Sequence, residues 1–326
     1  MRRREFITLI GGATAWPTAV RAQQPKLPII GLMSSGTASS NEQRLTTFRE
    51  ALKGASFVEH RNVIIEYRWA AGNYDQLQAF ANEFVRMPAD LIVAFDNTAT
   101  ARAAKAATSI IPIVFSIGTD PVKFGLVQSL NRPGGNVTGV VSLTVGLGAK
   151  RLQVFREMLP NSAKIAMLVN PKNPAAETET SEVLAAAGAS GLEVITLPAS
   201  SVPEIDTALV SAAASRVSGI LIQSEPFLTS RRSQIAGLAL RHALPAIDAY
   251  RDFALAGGLM SYGASLDEAA RQLGIYAGHI LKGERPTDLP VQQSVKIELV
   301  INLNTARAFK LAVPPTLLAI ADEVID

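Results

Sequence analysis

One order of elements occurs twice along this chain, and it fixes the class of fold the chain can reach. An apolar run ends in polar residues, a helix-length amphipathic stretch follows, and further apolar runs alternate with further helices. In the first half Ile29-Ile30-Gly31-Leu32-Met33 ends in Ser34-Ser35-Gly36. A helix is expected over about Asn41 to Ala55, with Leu45, Phe48, Ala51 and Leu52 on one face. Val63 to Trp69 alternates like a strand, Asp75 to Arg86 reads as a helix, and Leu91 to Phe95 and Pro112 to Phe115 read as buried strands flanking the helix Ala101 to Thr108. The second half repeats the order: Ile165 to Val169 ends in Asn170-Pro171, and Ala175 to Ala187 is helical. Leu192 to Ile195, Ile205 to Ser215 and Gly219 to Ile222 continue the alternation, and the last of these ends in Gln223-Ser224-Glu225-Pro226. Corresponding elements lie roughly 130 residues apart, the size of a domain.

Strands separated by helices of this length imply parallel sheets covered on both faces. The fold class expected is therefore α/β, with two doubly wound parallel-sheet lobes joined by a three-segment hinge. The crossings are read from composition. Asp120 to Gly139 is rich in turn residues, and Val140 to Leu143 then leaves the first lobe. Gly257 to Gly263 is a second extended segment, Leu266 to Leu281 a helix packing back on the first lobe, and Val295 to Leu303 a returning strand. This puts residues 28–140 with 262–283 in lobe 1, and 141–261 with 290–326 in lobe 2. Thr305 to Leu311 and Pro315 to Val324 read as short amphipathic helices.

In open α/β sheets ligands sit beyond the carboxyl ends of the strands, where helix N-termini offer unpaired N–H groups. Ser34, Asp96, Asn97 and Thr98 fall at such ends in the first half, and Asn170, Glu225 and Asp248 in the second. One of the three residues 96–98 is accounted for by capping the helix that starts there; three are not. Asp120 either shapes its loop or reaches the cleft rim, and Tyr262 either stacks on a ligand or packs at the hinge. If the lobes face each other, these groups converge on one cleft.

The N-terminus, MRRREFITLIGGATAWPTAVRAQQ, has a basic start, a modest apolar run from Phe6 to Trp16, and small residues around Ala22. Arg3-Arg4-Glu5-Phe6-Ile7 resembles a twin-arginine export signal, so residues 1–22 are expected to be an export signal peptide and the mature protein periplasmic and soluble. The chain has no cysteine, which excludes disulfides and a lipid anchor on an N-terminal cysteine. The formal charge of +3 is matched by Arg2, Arg3 and Arg4, so the body carries no basic surface for nucleic acid. His60, His242 and His279 are scattered, and no zinc spacing, P-loop, G-x-S-x-G elbow or dinucleotide fingerprint is present. No cofactor and no enzymatic activity are expected.

Two motifs carry a resemblance to a known family. The first is Asp120-Pro121-Val122, Gly125-Leu126-Val127, Ser129-Leu130 and Pro133-Gly134-Gly135-Asn136-Val137-Thr138-Gly139. The second is Ile280-Leu281-Lys282-Gly283, Pro286 and Asp288-Leu289-Pro290-Val291. Over about Pro28 to Asp326 the chain resembles a type I periplasmic binding protein, and more closely the substrate-binding components of ABC transporters that include the tryptophan/tyrosine-type binding proteins. The resemblance implies a monomer that captures a small polar or aromatic, amino-acid-like solute between two lobes and delivers it to an ABC permease in the inner membrane. It implies Ser34, Asn97 and Thr98 for a ligand carboxylate, and Asp120, Glu225 or Asp248 for an ammonium group. The family's second-lobe strand end often carries aspartate followed by asparagine; here it reads Gln223-Ser224-Glu225-Pro226. Two alternatives stand beside this reading: a periplasmic sensor, which would use the same cleft and present its solute to a membrane receptor, and a hydrolase.

Overall fold

The structure, a computed structural model, describes residues 27–142, 144–294 and 296–326. The export-signal reading of residues 1–22 lies outside the described residues.

Among the described residues ten strands run in chain order through the two repeats. They are β1 (Ile29–Ser34), β2 (Ile64–Trp69), β3 (Leu91–Ala94), β4 (Ile113–Ile117), β5 (Val137–Val141), β6 (Lys164–Val169), β7 (Glu193–Pro198), β8 (Ile220–Ile222), β9 (Ala246–Asp248) and β10 (Met260–Ala264). Three more follow: β11 (Gln292–Gln293), β12 (Ile297–Asn302) and β13 (Glu323–Ile325). They form two sheets, ordered β11-β5-β4-β3-β1-β2 and β13-β12-β10-β9-β8-β6-β7. All pairings are parallel except β10 with β12. β12 re-enters the second lobe from the other one, without a crossover helix to reverse its direction, and so it lies antiparallel.

Each central strand is buried on both faces, as parallel strands covered by helices must be. In β3, Leu91 and Val93 join one core cluster with Ile30, Leu32 and Phe48, whereas Ile92 and Ala94 join the opposite one with Met33, Phe84 and Phe115. The second sheet is sandwiched in the same way, with Met167, Leu221 and Ile247 on one face and Leu168, Ile222 and Ala246 on the other. Gly31 is the tightest point of β1: a Cβ there would lie 2.5 Å from the buried Phe84 ring. Gly31→Ala is expected to cost about 1–3 kcal/mol of stability by overpacking. Urea denaturation reads this directly, and an unchanged midpoint would show that Phe84 yields without cost.

Sheet membership places the crossings differently from the expected boundaries. All of Met260–Ala264 lies in the second sheet, because it pairs with both β9 and β12; the crossing begins after Ala264. Gln292 and Gln293 pair with Val140 and Val141 and so extend the first sheet. The helix Leu266–Leu281 packs along the helix Glu42–Gly54 of the first lobe. The first C-terminal helix spans Leu303–Ala308, and of the second expected helix only Pro315–Ile320 is helical; Glu323–Ile325 is an edge strand on β12. Among the described residues the chain thus passes between the lobes beside residues 142 and 144–147, at 264–266, and beside 294 and 296.

Candidate functional site

The tips of β1 and β3 are neighbours, so the residues that follow them meet. Asp96 sits between them as an acceptor. Its Oδ2 receives hydrogen bonds from Ser34 Oγ (2.5 Å), Ser35 N (2.9 Å), Ser35 Oγ (3.0 Å) and Gly36 N (3.1 Å). Thr100 Oγ1 donates to Oδ1 at 2.9 Å. The carboxylate therefore fills the ring of donors at the β1 tip, where successive backbone N–H groups make an anion-binding concavity. Asn97 caps the helix Thr98–Ala107: its Oδ1 accepts from Thr100 N at 2.9 Å. Its Nδ2 donates to Ser35 Oγ at 2.8 Å and to the Tyr74 hydroxyl at 3.3 Å. Thr98 and Thr119 share a hydrogen bond between hydroxyls at 2.6 Å. Three polar residues stand at this junction because no two of them do the same thing. Asp96 fills the donor ring, Asn97 caps the helix, and Thr98 binds across to the β4 tip.

The second wall is built from the tips of β6, β8 and β9. Asn170 N donates to Gln223 Oε1 at 2.8 Å, and Asn170 Nδ2 donates to Glu225 Oε1 at 2.9 Å. Glu225 is fully buried and accepts Leu228 N at 2.6 Å, capping the short helix that follows. The Tyr74 hydroxyl, from the first lobe, donates to Glu225 Oε1 at 2.7 Å. The polar tips of the two sheets therefore face one interlobe cleft and meet there. Burial raises the Glu225 carboxyl above its usual range, against the pull of its hydrogen-bond donors. Asp248 is buried too, and desolvation pushes it up to about 7 while the Arg151 charge opposes the shift.

Behind this wall Arg151 and Glu179 form a fully buried ion pair at 3.0 Å. Arg151 also donates to Thr144 O (3.2 Å) and Tyr262 O (3.0 Å), tying the first crossing to β10. Glu179 accepts from the backbone N and the Oγ of Ser224, the residue before Glu225.

The structure brings Ser34, Asp96, Asn97, Thr98, Asn170, Glu225 and Asp248 to the two facing walls. It does not bring two other candidates there. Asp120 is exposed, and its Oδ1 accepts Val122 N at 2.8 Å, which makes it a turn former. The Tyr262 ring packs on the core of the second lobe, and only its carbonyl serves the network. Residues not singled out as candidates complete the site: Tyr74, Ser35, Thr119, Arg151, Glu179, Gln223 and Tyr250. Gln223 Nε2 and Asn41 Oδ1, beside the tips on opposite lobes, are buried and have no partner among the described residues. Gln223 directly follows an apolar strand, which is a readable signal. Glu179 and Arg151 lie inside helical patterns, where nothing marks a buried charge. Among the described residues no group of His, Cys, Asp and Glu has the arrangement of a metal site, and no helix is long and apolar enough to cross a membrane.

Two lobes with facing polar strand tips match a family model described as ABC transporter substrate binding protein, over residues 35–325. The chain belongs to this family. A relative, the tyrosine-binding protein of Clostridioides difficile (strain R20291), is 26% identical over 298 residues, covering 91% of this chain and 85% of that protein. Among solved structures, a conserved domain protein from Vibrio cholerae superposes with a TM-score of 0.84 at 26% identity, over 92% of this chain and all of that one. An ABC domain from Streptococcus pneumonia in complex with L-Trp gives 0.83 at 24% identity, also over 92% of this chain and 100% of that one. The type I periplasmic binding fold expected from the two motifs is thus the observed one.

Proposed function

We propose that this substrate-binding protein captures a small polar or aromatic, amino-acid-like solute between its lobes. After export to the periplasm it hands that solute to an ABC permease in the inner membrane, acting as a monomer. The observation that carries the reading is the convergence of both sheets' polar tips on one cleft. The family match and the names of the relatives, which point to tyrosine and tryptophan, support it. The cleft offers a solute neutral donors and acceptors around Asn97, Thr98, Asn170 and Gln223. Asp248 is the acidic group that would take an ammonium. Closing the lobes removes water from these groups and strengthens their interactions with the solute. The solute shifts the open–closed balance by as much as it favours the closed form.

A thermal-shift screen of amino acids and small polar metabolites, led by L-tyrosine and L-tryptophan, tests this. A solute at a hundred times its Kd stabilises the folded protein by about 2.7 kcal/mol and raises its melting temperature. Absence of any shift across the screen would overturn the reading. Asn97→Ala with Thr98→Ala is expected to weaken capture while the protein stays folded. Losing the Asn97 cap costs about 1 kcal/mol of stability. Calorimetry showing unchanged affinity would remove both residues from the solute's surroundings.

A further inference from the structure

Three observations place a contact of another kind at the edge of the cleft. The first is the hydrogen bond from the Tyr74 hydroxyl to Glu225 Oε1, 2.7 Å long and between residues of different lobes. Each end is already held by its own lobe: Asn97 Nδ2 reaches Tyr74 at 3.3 Å, and Glu225 is gripped by Asn170 and Leu228. The second is steric. Phe227 of the second lobe lies against Gly72 of the first, so closely that a Cβ on Gly72 would sit 2.7 Å from the ring. Gly72 has φ +90, a conformation glycine adopts freely. The third is the contact of the short helix Pro226–Ser230 with the turn Ser39–Asn41 across the same gap. Both oxygens of Glu225 have protein partners, and the residue is fully buried.

We propose that Tyr74 and Glu225 form an interlobe latch, a pair of positioning residues that hold the closed lobes together without touching the solute. This rests on the solute-capture reading above. A contact made only when the lobes meet favours the closed form by the same amount whatever lies between them. It therefore multiplies the affinity for every solute by one factor and leaves the ranking of solutes unchanged. A buried hydrogen bond is worth up to about tenfold in such an equilibrium. The Gly72–Phe227 seat sets the approach at which the hydroxyl reaches the carboxylate.

The chain contains no cysteine, so two introduced ones label cleanly. Ala79→Cys and Ser233→Cys fall on exposed helical positions of opposite lobes. Spin labels there report the interlobe distance by double electron–electron resonance, with and without L-tyrosine or L-tryptophan. Tyr74→Phe keeps the ring and deletes only the hydroxyl. It is expected to move the closed-to-open ratio by up to about tenfold toward open in every condition. Glu225→Gln added to Tyr74→Phe should change the ratio less than Glu225→Gln does alone. A distance distribution untouched by Tyr74→Phe, in a variant whose circular dichroism shows it folded, overturns the latch. So does a loss confined to one solute, since that marks direct contact. A wild-type distribution that no added solute changes counts against solute capture instead, and the latch comparison still reads.

Discussion

Arg151→Met is expected to lower the free energy of unfolding by about 3–5 kcal/mol. Arg151 and Glu179 are both fully buried, and all three guanidinium nitrogens are used, on Glu179, Thr144 O and Tyr262 O. Removing the cation leaves the fully buried Glu179 without its counter-charge, next to backbone carbonyls that have lost their donors. Burial already pushes the Glu179 carboxyl up, with Arg151 the largest opposing influence. The cost therefore follows from the stranded anion more than from a lost attraction. Arg151→Met with Glu179→Gln should recover part of the loss, because the amide oxygen still accepts from Ser224 without carrying charge. Chemical denaturation of wild type, single and double variants measures this. A single variant within about 1 kcal/mol of wild type would show that water or a side chain compensates. Because Arg151 ties the first crossing to β10, the same variant should also loosen the hinge.

The second large effect is a pH dependence set by Asp248. Its carboxyl is raised to about 7 by burial, and the charged and titratable groups around it are Arg151, Glu179 and Tyr250. For a group whose folded pKa lies above its unfolded value, the stabilising contribution is complete below the ordinary aspartate range. It is lost as pH rises through about 7. Across that window stability should fall at up to about 1.4 kcal/mol per pH unit from this residue alone. Asp248→Asn should remove that slope and be the more stable form at neutral pH. Melting curves that stay parallel for wild type and variant across the window would contradict the assignment. The same linkage bears on capture. An ammonium group beside Asp248 favours the ionised carboxylate, so binding an amine-bearing solute near pH 6 should release a proton. Calorimetry in buffers of different ionisation enthalpy reads that proton.

The repeated order of strands and helices was legible because parallel strands buried on both faces leave continuous apolar runs such as Leu91 to Phe95. The helices between them keep a single apolar face. The facing tips followed from topology, so Ser34, Asp96, Asn97, Asn170, Glu225 and Asp248 could be named from the order of elements alone. Their partners could not. That Asp96 fills the donor ring of Ser34, Ser35 and Gly36 depends on β1 and β3 being adjacent, and that Tyr74 reaches Glu225 depends on how the lobes meet. Neither fact has a local signature. The Arg151–Glu179 pair was hidden for the same reason: inside an amphipathic pattern a buried charge reads as one on the solvent face. Asp120 and Tyr262 went the other way, since a position near the cleft in the chain order does not determine where a side chain points. Short edge strands such as Glu323–Ile325 carry too few residues to show a period.

Capture as proposed requires the two lobes to close on a shared cleft around a solute. Small-angle X-ray scattering, on the protein alone and with a solute that raises its melting temperature, tests it most directly. Closure predicts a smaller radius of gyration with the solute, and a radius in the Tyr74→Phe variant at least as large as that of wild type in either condition. A solute that stabilises the protein while the scattering curve stays the same would contradict the account.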